Sequence, residues 1–331
     1  MTQLLVLSGN TVRSVLGYRA CADAMRAALI ARANGEFFQP LRSVLKPQGT
    51  AGLMVLMPAY GYGQPAGYGL KAITITPGNP AIGLDSHQGV VLLFSSETGE
   101  PLAVLNASAL TEIRTAAVSA VATSVLANED ADVLAIIGTG VQARSHLRAI
   151  ASTRSLAEIR VAGRTRDKAA AFAAEAQAGE AKVIACDTTE QAVAGAGIVV
   201  TATNSATPVV RREWLSPGTH LNAVGACLPD YRELDTATVA SAALYGDSRE
   251  SVLAEAGDYV LAAAEGAIGP DHIKAELGDL LAGKPGAEGR AGEREITIFE
   301  SLGLAVEDLA AAAVAYETAR EAGIGTLTDF D

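Results

Sequence analysis

The stretch "DVLAIIGTGVQARSH" (residues 132–146) decides how the rest of the chain is read. Its first half is a continuous apolar run ending at Gly138, the pattern of a short strand buried on both faces. Such a run can also be a buried helical turn, but two isoleucines followed at once by glycine favour the strand. Gly138, Gly140 and Ala143 then stand as G-x-G-x-x-A at the entry to a helix, with Thr139, Val141 and Gln142 completing the turn. The first glycine permits a tight turn, the second lets backbone approach a pyrophosphate, and the small third residue lets helix and strand pack closely. The N-terminus of the helix then faces the anion. A purely structural turn would look the same in isolation, so the surroundings carry the reading.

Outward from this turn, strand and helix alternate. "EIRVAG" (158–163), "AKVIACD" (181–187), "GIVVTATN" (197–204), "THLNAVG" (219–225) and "AALYGDS" (242–248) read as strands, and "TRDKAAAFAAEAQ" as a helix capped by Thr165. That alternation predicts an α/β fold with a doubly wound parallel sheet, a Rossmann dinucleotide-binding domain. A site for NAD usually has an acidic residue about 20 residues after the glycine turn, holding the ribose 2′-hydroxyl. Here the second strand ends in Gly163, Arg164 and Thr165, with Arg166 behind them. No acid repels a 2′-phosphate and a guanidinium can pair with one, so NADP (NADPH) is favoured over NAD. The bland alternative is a solvated surface arginine.

The first 130 residues differ in character. "YGYGQPAGYGL" (60–70) is loop chemistry, while "LKAITITPGNP" (70–80) and "HQGVVLLFSSETGEPLAVL" (87–105) read as strands joined by turns. "SALTEIRTAAVSAVATSVLA" (108–127) is a long helix leading into the sheet domain. After a loop at 283–295, "ITIF" gives a last strand and the residues beyond it a closing helix that packs back on the first part. The expected division is a discontinuous α+β domain of residues 1–128 and 304–331, around a dinucleotide-binding domain of 129–303.

Bulk properties exclude several function classes. The chain has 331 residues and a formal net charge of −12, without a basic run, so nucleic acid and anionic membrane are poor partners. The three cysteines, Cys21, Cys186 and Cys227, have no short spacing, and the four histidines are scattered. Neither a disulfide framework nor a metal site is expected, and the pattern fits a reducing cytoplasm. No apolar run reaches about 18 residues, so no membrane span is expected.

Between Ala33 and Ala127 the only basic residues are Arg42, Lys46, Lys71 and Arg114. Strand alternation puts Lys71 on the face of Ile73 and Ile75, and the helical stripe through Arg114 runs Ala117, Val118, Val121 and Val125. Cations on apolar faces are costly unless paired. No acid nearby in sequence is an obvious partner, so an exogenous carboxylate is one resolution; snorkelling or pairing with distant acids is the other.

Five stretches, "SHQGVVLLF" (86–94), "EIRTAAVSAVAT" (112–123), "GTGVQARSH" (138–146), "GTHLNAVGACLPDYRELD" (218–235) and "FESLGLAVEDLAAA" (299–312), together give the chain a resemblance to the ornithine cyclodeaminase/mu-crystallin family. The resemblance implies a homodimer built through the discontinuous domain, which also binds substrate. It implies that Arg42, Lys71 and Arg114 hold a substrate α-carboxylate, that Thr203, Val224 and Ser301 line the dinucleotide, and that Glu255 is an active-site glutamate of the mu-crystallin branch. Members of that branch carry Asn-Arg-Thr where this chain has Gly163, Arg164 and Thr165, and use NADPH. The departure is at Cys227 and Tyr231, where members that cyclise ornithine or lysine have aspartate and lysine. A thiol cannot offer a fixed carboxylate, and Cys227 reads as a small filler or a weak substrate contact rather than a nucleophile.

The expected activity is NAD(P)H-dependent reduction of a small cyclic ketimine carboxylate, 1-pyrroline-2-carboxylate or 1-piperideine-2-carboxylate, with Lys71 and Glu255 as catalytic groups. Rivals in the same chemistry are ornithine or lysine cyclodeamination and dehydrogenation of N-substituted or simple amino acids. A rival of another class is a protein that holds NADPH and an acidic ligand without turnover.

Overall fold

The computed structural model describes residues 3–330. In chain order the first elements are β1 (Gln3–Leu7), α1 (Gly9–Val15), α2 (Tyr18–Ala33), β2 (Phe37–Phe38), β3 (Ser43–Leu45), β4 (Leu53–Gly61), β5 (Gly67–Ile75), β6 (His87–Phe94), β7 (Pro101–Asn106) and α3 (Ala107–Leu126). There follow β8 (Val133–Ile137), α4 (Val141–Thr153), β9 (Glu158–Ala162), α5 (Arg166–Glu175), β10 (Lys182–Ala185), α6 (Thr189–Val193), β11 (Ile198–Thr201) and β12 (His220–Ala223). The remainder is α7 (Thr236–Ser241), β13 (Ala243–Gly246), α8 (Arg249–Glu255), α9 (Gly257–Ala264), β14 (Ile273–Glu276), α10 (Leu277–Leu281), β15 (Thr297–Glu300), α11 (Ala305–Ala322) and β16 (Thr326–Asp329).

The chain divides into two compact units, one running through Arg114 and resuming at Leu304, the other spanning Thr115–Gly303. The first break therefore lies inside α3, ahead of the boundary at 128/129 read from the sequence. The physical reason is that α3 is uninterrupted, with neither Gly nor Pro along its length. Arg114 bonds partners in the first unit, while Ser119 and Thr123 bond His146 and Asn222 of the second. By length and composition α3 could cross a membrane, but 83% of that span is buried.

In the first unit the strands form a sheet in the order β16-β1-β7-β6-β5-β4-β2, with β3 paired to β4. Helices α2 and α11 pack on each other, and α11 lies on β4, β5 and β6. Approach is close at Gly69, where an added Cβ would lie 2.9 Å from Leu309 Cδ1. Alternation in β5 buries Lys71 and Ile73 on this side. The terminal strand β16, antiparallel to β1, has no counterpart in the sequence reading.

In the second unit every strand pairing is parallel, in the order β10-β9-β8-β11-β12-β15-β13-β14. The direction of winding reverses between β8 and β11, the switch point at which open α/β sheets bind ligands. Strands β8, β11, β12 and β15 are almost wholly buried, β8 and β11 as mainly apolar runs, β12 and β15 with polar His220, Asn222, Thr297 and Glu300 buried as well. The sequence reading found these strands but not β14, whose "IKAE" carries two charges.

Candidate active site

In the first unit, three of the residues singled out above come together. Lys71 and Arg114 are 2% and 4% exposed. Lys71 Nζ lies 2.7 Å from Asp308 Oδ2, Arg114 Nε donates to Asp308 Oδ1 at 2.9 Å, and Arg114 Nη1 donates to Glu307 Oε2 at 3.0 Å. Of the two readings left open by the sequence, pairing with distant acids is what the structure shows: in the first turn of α11, Asp308 pairs with both cations and Glu307 with Arg114. Glu307 also accepts from the Leu304 amide, which fixes the start of that helix.

Arg42 lies close enough to depress the protonation of Lys71. Burial lowers the Lys71 pKa to about 8, with Arg114 and Arg42 adding to the fall and Asp308 opposing it. Burial alone would raise Asp308, but Arg114 and Lys71 outweigh it and hold that carboxyl below its ordinary value. Two buried cations fixed side by side by carboxylates, with a third close by, offer donors to an anion.

In the second unit the glycine turn follows β8. Gly138 has φ +128°, and an added Cβ would lie 2.4 Å from Ala202 O at the end of β11. At Gly140 an added Cβ would meet nothing within 4 Å, and no side chain caps the N-terminus of α4, where this glycine is the N-cap. Open space in front of an uncapped helix start suits a pyrophosphate. Ala143 is fully buried, as helix–strand packing demands. Thr139 packs on Gly163, Val141 is exposed, and Gln142 is half-buried, its carbonyl bonded to His146. That buried histidine is pushed down to about 4 by burial, so it is neutral and structural.

Arg164, Thr165 and Arg166 are exposed beyond β9. The Thr165 hydroxyl caps α5 by accepting from Lys168 N, and Arg166 Nε pairs with Asp187 Oδ1 at 2.6 Å. Thr203, Val224 and Ser301 follow β11, β12 and β15, neighbouring strands of the sheet, so they stand in a row at its C-terminal edge. The Val224 amide bonds Thr201 O, and the Ser301 amide bonds Ala223 O. Cys227 is an exposed free thiol. Its loop is tied to the α9 start by Gly257 N donating to Ala226 O, two residues beyond half-buried Glu255.

Sequence reading missed the acids. Glu307 and Asp308 lie in "LAVEDLAAA", and two adjacent acids at a helix start look like ordinary capping. Glu233, Asp247, Asp258 and Glu300 are buried at the C-terminal edge of the parallel sheet, each 0–1% exposed.

A parallel sheet wound in this order, with a glycine turn opening a helix at its switch point, is a Rossmann-type dinucleotide-binding unit. The profile of the ornithine cyclodeaminase/mu-crystallin family matches residues 3–323, and the chain belongs to that family. The ketimine reductase mu-crystallin of Mus musculus is 41% identical over 286 residues, 86% of either chain. The structure of Thermococcus litoralis Δ1-pyrroline-2-carboxylate reductase in complex with NADH and L-proline superposes with a TM-score of 0.93, at 36% identity, covering 97% of this chain and 99% of that one. An archaeal alanine dehydrogenase dimer with bound NAD matches with a TM-score of 0.92, at 32% identity, over the whole of both chains.

Proposed function

We propose that this protein reduces a small cyclic ketimine carboxylate to the cyclic amino acid, using a nicotinamide dinucleotide. The observation that carries the reading is the buried pair Lys71 and Arg114, held by Glu307 and Asp308, in a chain that also holds an open glycine cradle. Arg42, Lys71 and Arg114 take the substrate carboxylate. Glu307 and Asp308 hold Lys71 and Arg114 in place. Glu255 supplies a carboxylate that favours the protonated imine, the better hydride acceptor, either as proton donor or by its charge. Nicotinamide, when bound, supplies the hydride. Cys227 is a small lining residue with no proton to move.

The dinucleotide lies along Gly138, Thr139, Gly140, Val141 and Gln142, with Thr203, Val224 and Ser301 further along the sheet edge. NADPH is the preferred form, because Gly163 stands where an acid would repel a 2′-phosphate and Arg164 is exposed beside it. Arg166, already paired with Asp187, contributes less. The Arg164→Ala variant is expected to weaken NADPH by tenfold or more on the scale of one charge-assisted contact and to leave NADH nearly unchanged. Equal weakening of both, or a wild-type preference for NADH, would reverse this assignment. Free thiols at Cys21, Cys186 and Cys227 support a reducing, cytoplasmic setting.

The test of the activity is dinucleotide oxidation across a panel: 1-pyrroline-2-carboxylate, 1-piperideine-2-carboxylate, pyruvate with ammonia, and pyruvate with methylamine. Turnover is expected on the cyclic imines. Ornithine and lysine, offered with the oxidised dinucleotide, should release little ammonia, since position 227 has no acid to deprotonate the distal amine. Turnover confined to pyruvate with ammonia would make the chain an amino acid dehydrogenase instead, the activity named for the archaeal neighbour.

A further inference from the structure

The loops after β11 and β12 are joined by one buried carboxylate. Glu233 Oε1 accepts from both the amide and the hydroxyl of Thr203 at 2.6 Å, and Oε2 accepts from Gly225 N at 2.7 Å. The loops are pressed together there. A Cβ added at Gly225 would lie 2.1 Å from Thr203 O and 2.6 Å from Glu233 Cδ. Glu233 is itself held from behind, because Asp258 Oδ1 accepts from the amides of Glu233 and Leu234, both at 2.8 Å. The Glu233 carbonyl takes the amides of Val209 and Val210.

We infer that Glu233 is a positioning residue for the reductase, setting the spacing of the two loops that carry Thr203 and Val224 and so the fit of the dinucleotide. The inference rests on the proposed reading that these loops line the dinucleotide. Glu233 is fully buried and acts through Thr203 and Gly225. Its ionised form accepts from both loops with charge-assisted hydrogen bonds; a proton on either oxygen adds a donor among three donors and weakens that hold.

The groups around it make that ionisation sensitive. Burial raises the Glu233 pKa, and its hydrogen bonds to Thr203 and Gly225 oppose the rise. Asp258, in α9, is raised to about 7 by burial and by the charge of Glu233, with Arg232 pulling the other way. Glu300, closing β15, is raised well above its ordinary value by burial and by Asp258, Glu233 and Asp247. Asp247, after β13, accepts from the amides of Leu302 and Gly303. As pH falls, Glu233 protonates earlier than an exposed glutamate would, and the loops lose their common anchor.

The test is direct titration of NADPH and NADH, with steady-state constants over a pH series, for the wild type, Glu233→Gln and Asp258→Asn. For the wild type, KM for the dinucleotide should rise on the acid side, while KM for the imine changes little. Glu233→Gln should raise dinucleotide KM about tenfold or more, leave kcat at saturation within a few fold, and flatten the acid-side rise. Asp258→Asn keeps an oxygen for the two amides, and since Asp258, raised to about 7, takes its proton before Glu233 does, the rise should persist at its wild-type position. It carries the test if Glu233→Gln does not fold. A wild type that binds dinucleotide beside a Glu233→Gln variant that binds equally well, or an acid-side rise that Asp258→Asn abolishes, overturns the inference and leaves the proposed function standing. A wild type that binds neither dinucleotide overturns both.

Discussion

Lys71 shows how one residue can be legible while its partner is not. Its place among isoleucines in an alternating strand marks it as a buried cation, and it is buried. The partner, Asp308, comes from the other end of the chain and could not be foreseen from neighbours in sequence. With a pKa lowered to about 8, chiefly by burial, Lys71 is charged at neutral pH and loses its proton as the pH rises through that value. The charged form is the one that holds a carboxylate. We therefore expect kcat/KM for the imine substrate to fall above about pH 8. Lys71→Arg should lack this alkaline limb, because guanidinium stays protonated there. A limb of unchanged position in Lys71→Arg would assign the titration elsewhere. Stability runs the opposite way: between about 8 and 10.5 the folded protein has shed a proton that the unfolded chain keeps, so stability rises with pH. Asp308, held below its ordinary value, contributes stability above the ordinary carboxylate pKa, lost as pH falls through its folded value.

Among the elements, the β8–turn–α4 unit separates what folding needs from what binding needs. Gly138 has a positive φ and a carbonyl 2.4 Å from where a Cβ would sit, so Gly138→Ala must displace backbone at the sheet edge. Gly140 has neither constraint within the protein. Gly138→Ala is expected to lower the melting temperature by several degrees, on the scale of about 1–3 kcal/mol for a strained position. Gly140→Ala should leave melting nearly unchanged and weaken dinucleotide binding tenfold or more, since its methyl occupies the space the backbone must cede. Calorimetry and dinucleotide titration on the same two variants check both halves, and the reverse pattern would contradict the assignment. Elements of this kind are what the sequence makes legible, since periodicity and glycine spacing are local signals. In the parallel sheet β8 and β11 stood out as apolar runs, and the alternation of strand with helix carried the others. β14 did not stand out, because an edge strand carrying Lys274 and Glu276 lacks such a run, and β16, exposed at every position, had no apolar signal at all. The buried acids were illegible for a related reason: a charge becomes informative only when its burial is known, and burial is a tertiary property.

At the scale of the whole molecule, the sheet of the first unit is covered by α11 on one face and carries apolar residues on the other. Leu45, Met54, Tyr68 and Val90 are 37–58% exposed there, with Leu56, Tyr60, Leu70, Leu92 and Phe94 half-buried among them. A contiguous apolar sheet face of this extent marks an interaction surface. A second copy of this chain is the proposed occupant, and the archaeal alanine dehydrogenase of the same fold, a dimer, supports that reading. Stable association needs on the order of 1,000 Å² or more of buried surface, within reach of a face spanning β3 to β6. Isologous pairing places each residue near the two-fold axis in both halves of the interface, so one substitution introduces two charges. Leu70→Lys would bury two ammonium groups in an apolar seam, each costing several kcal/mol without a partner. We expect sedimentation equilibrium to give twice the 33.8 kDa chain mass for the wild type and the monomer mass for Leu70→Lys, with the far-ultraviolet circular dichroism unchanged. Leu327→Lys serves as the control, since β16 presents a second exposed surface at the free edge of the same sheet, with Leu327 61% exposed. A dimer that survives Leu70→Lys but dissociates with Leu327→Lys would place the contact at that edge, and a monomeric wild type would remove the dimer from the account altogether.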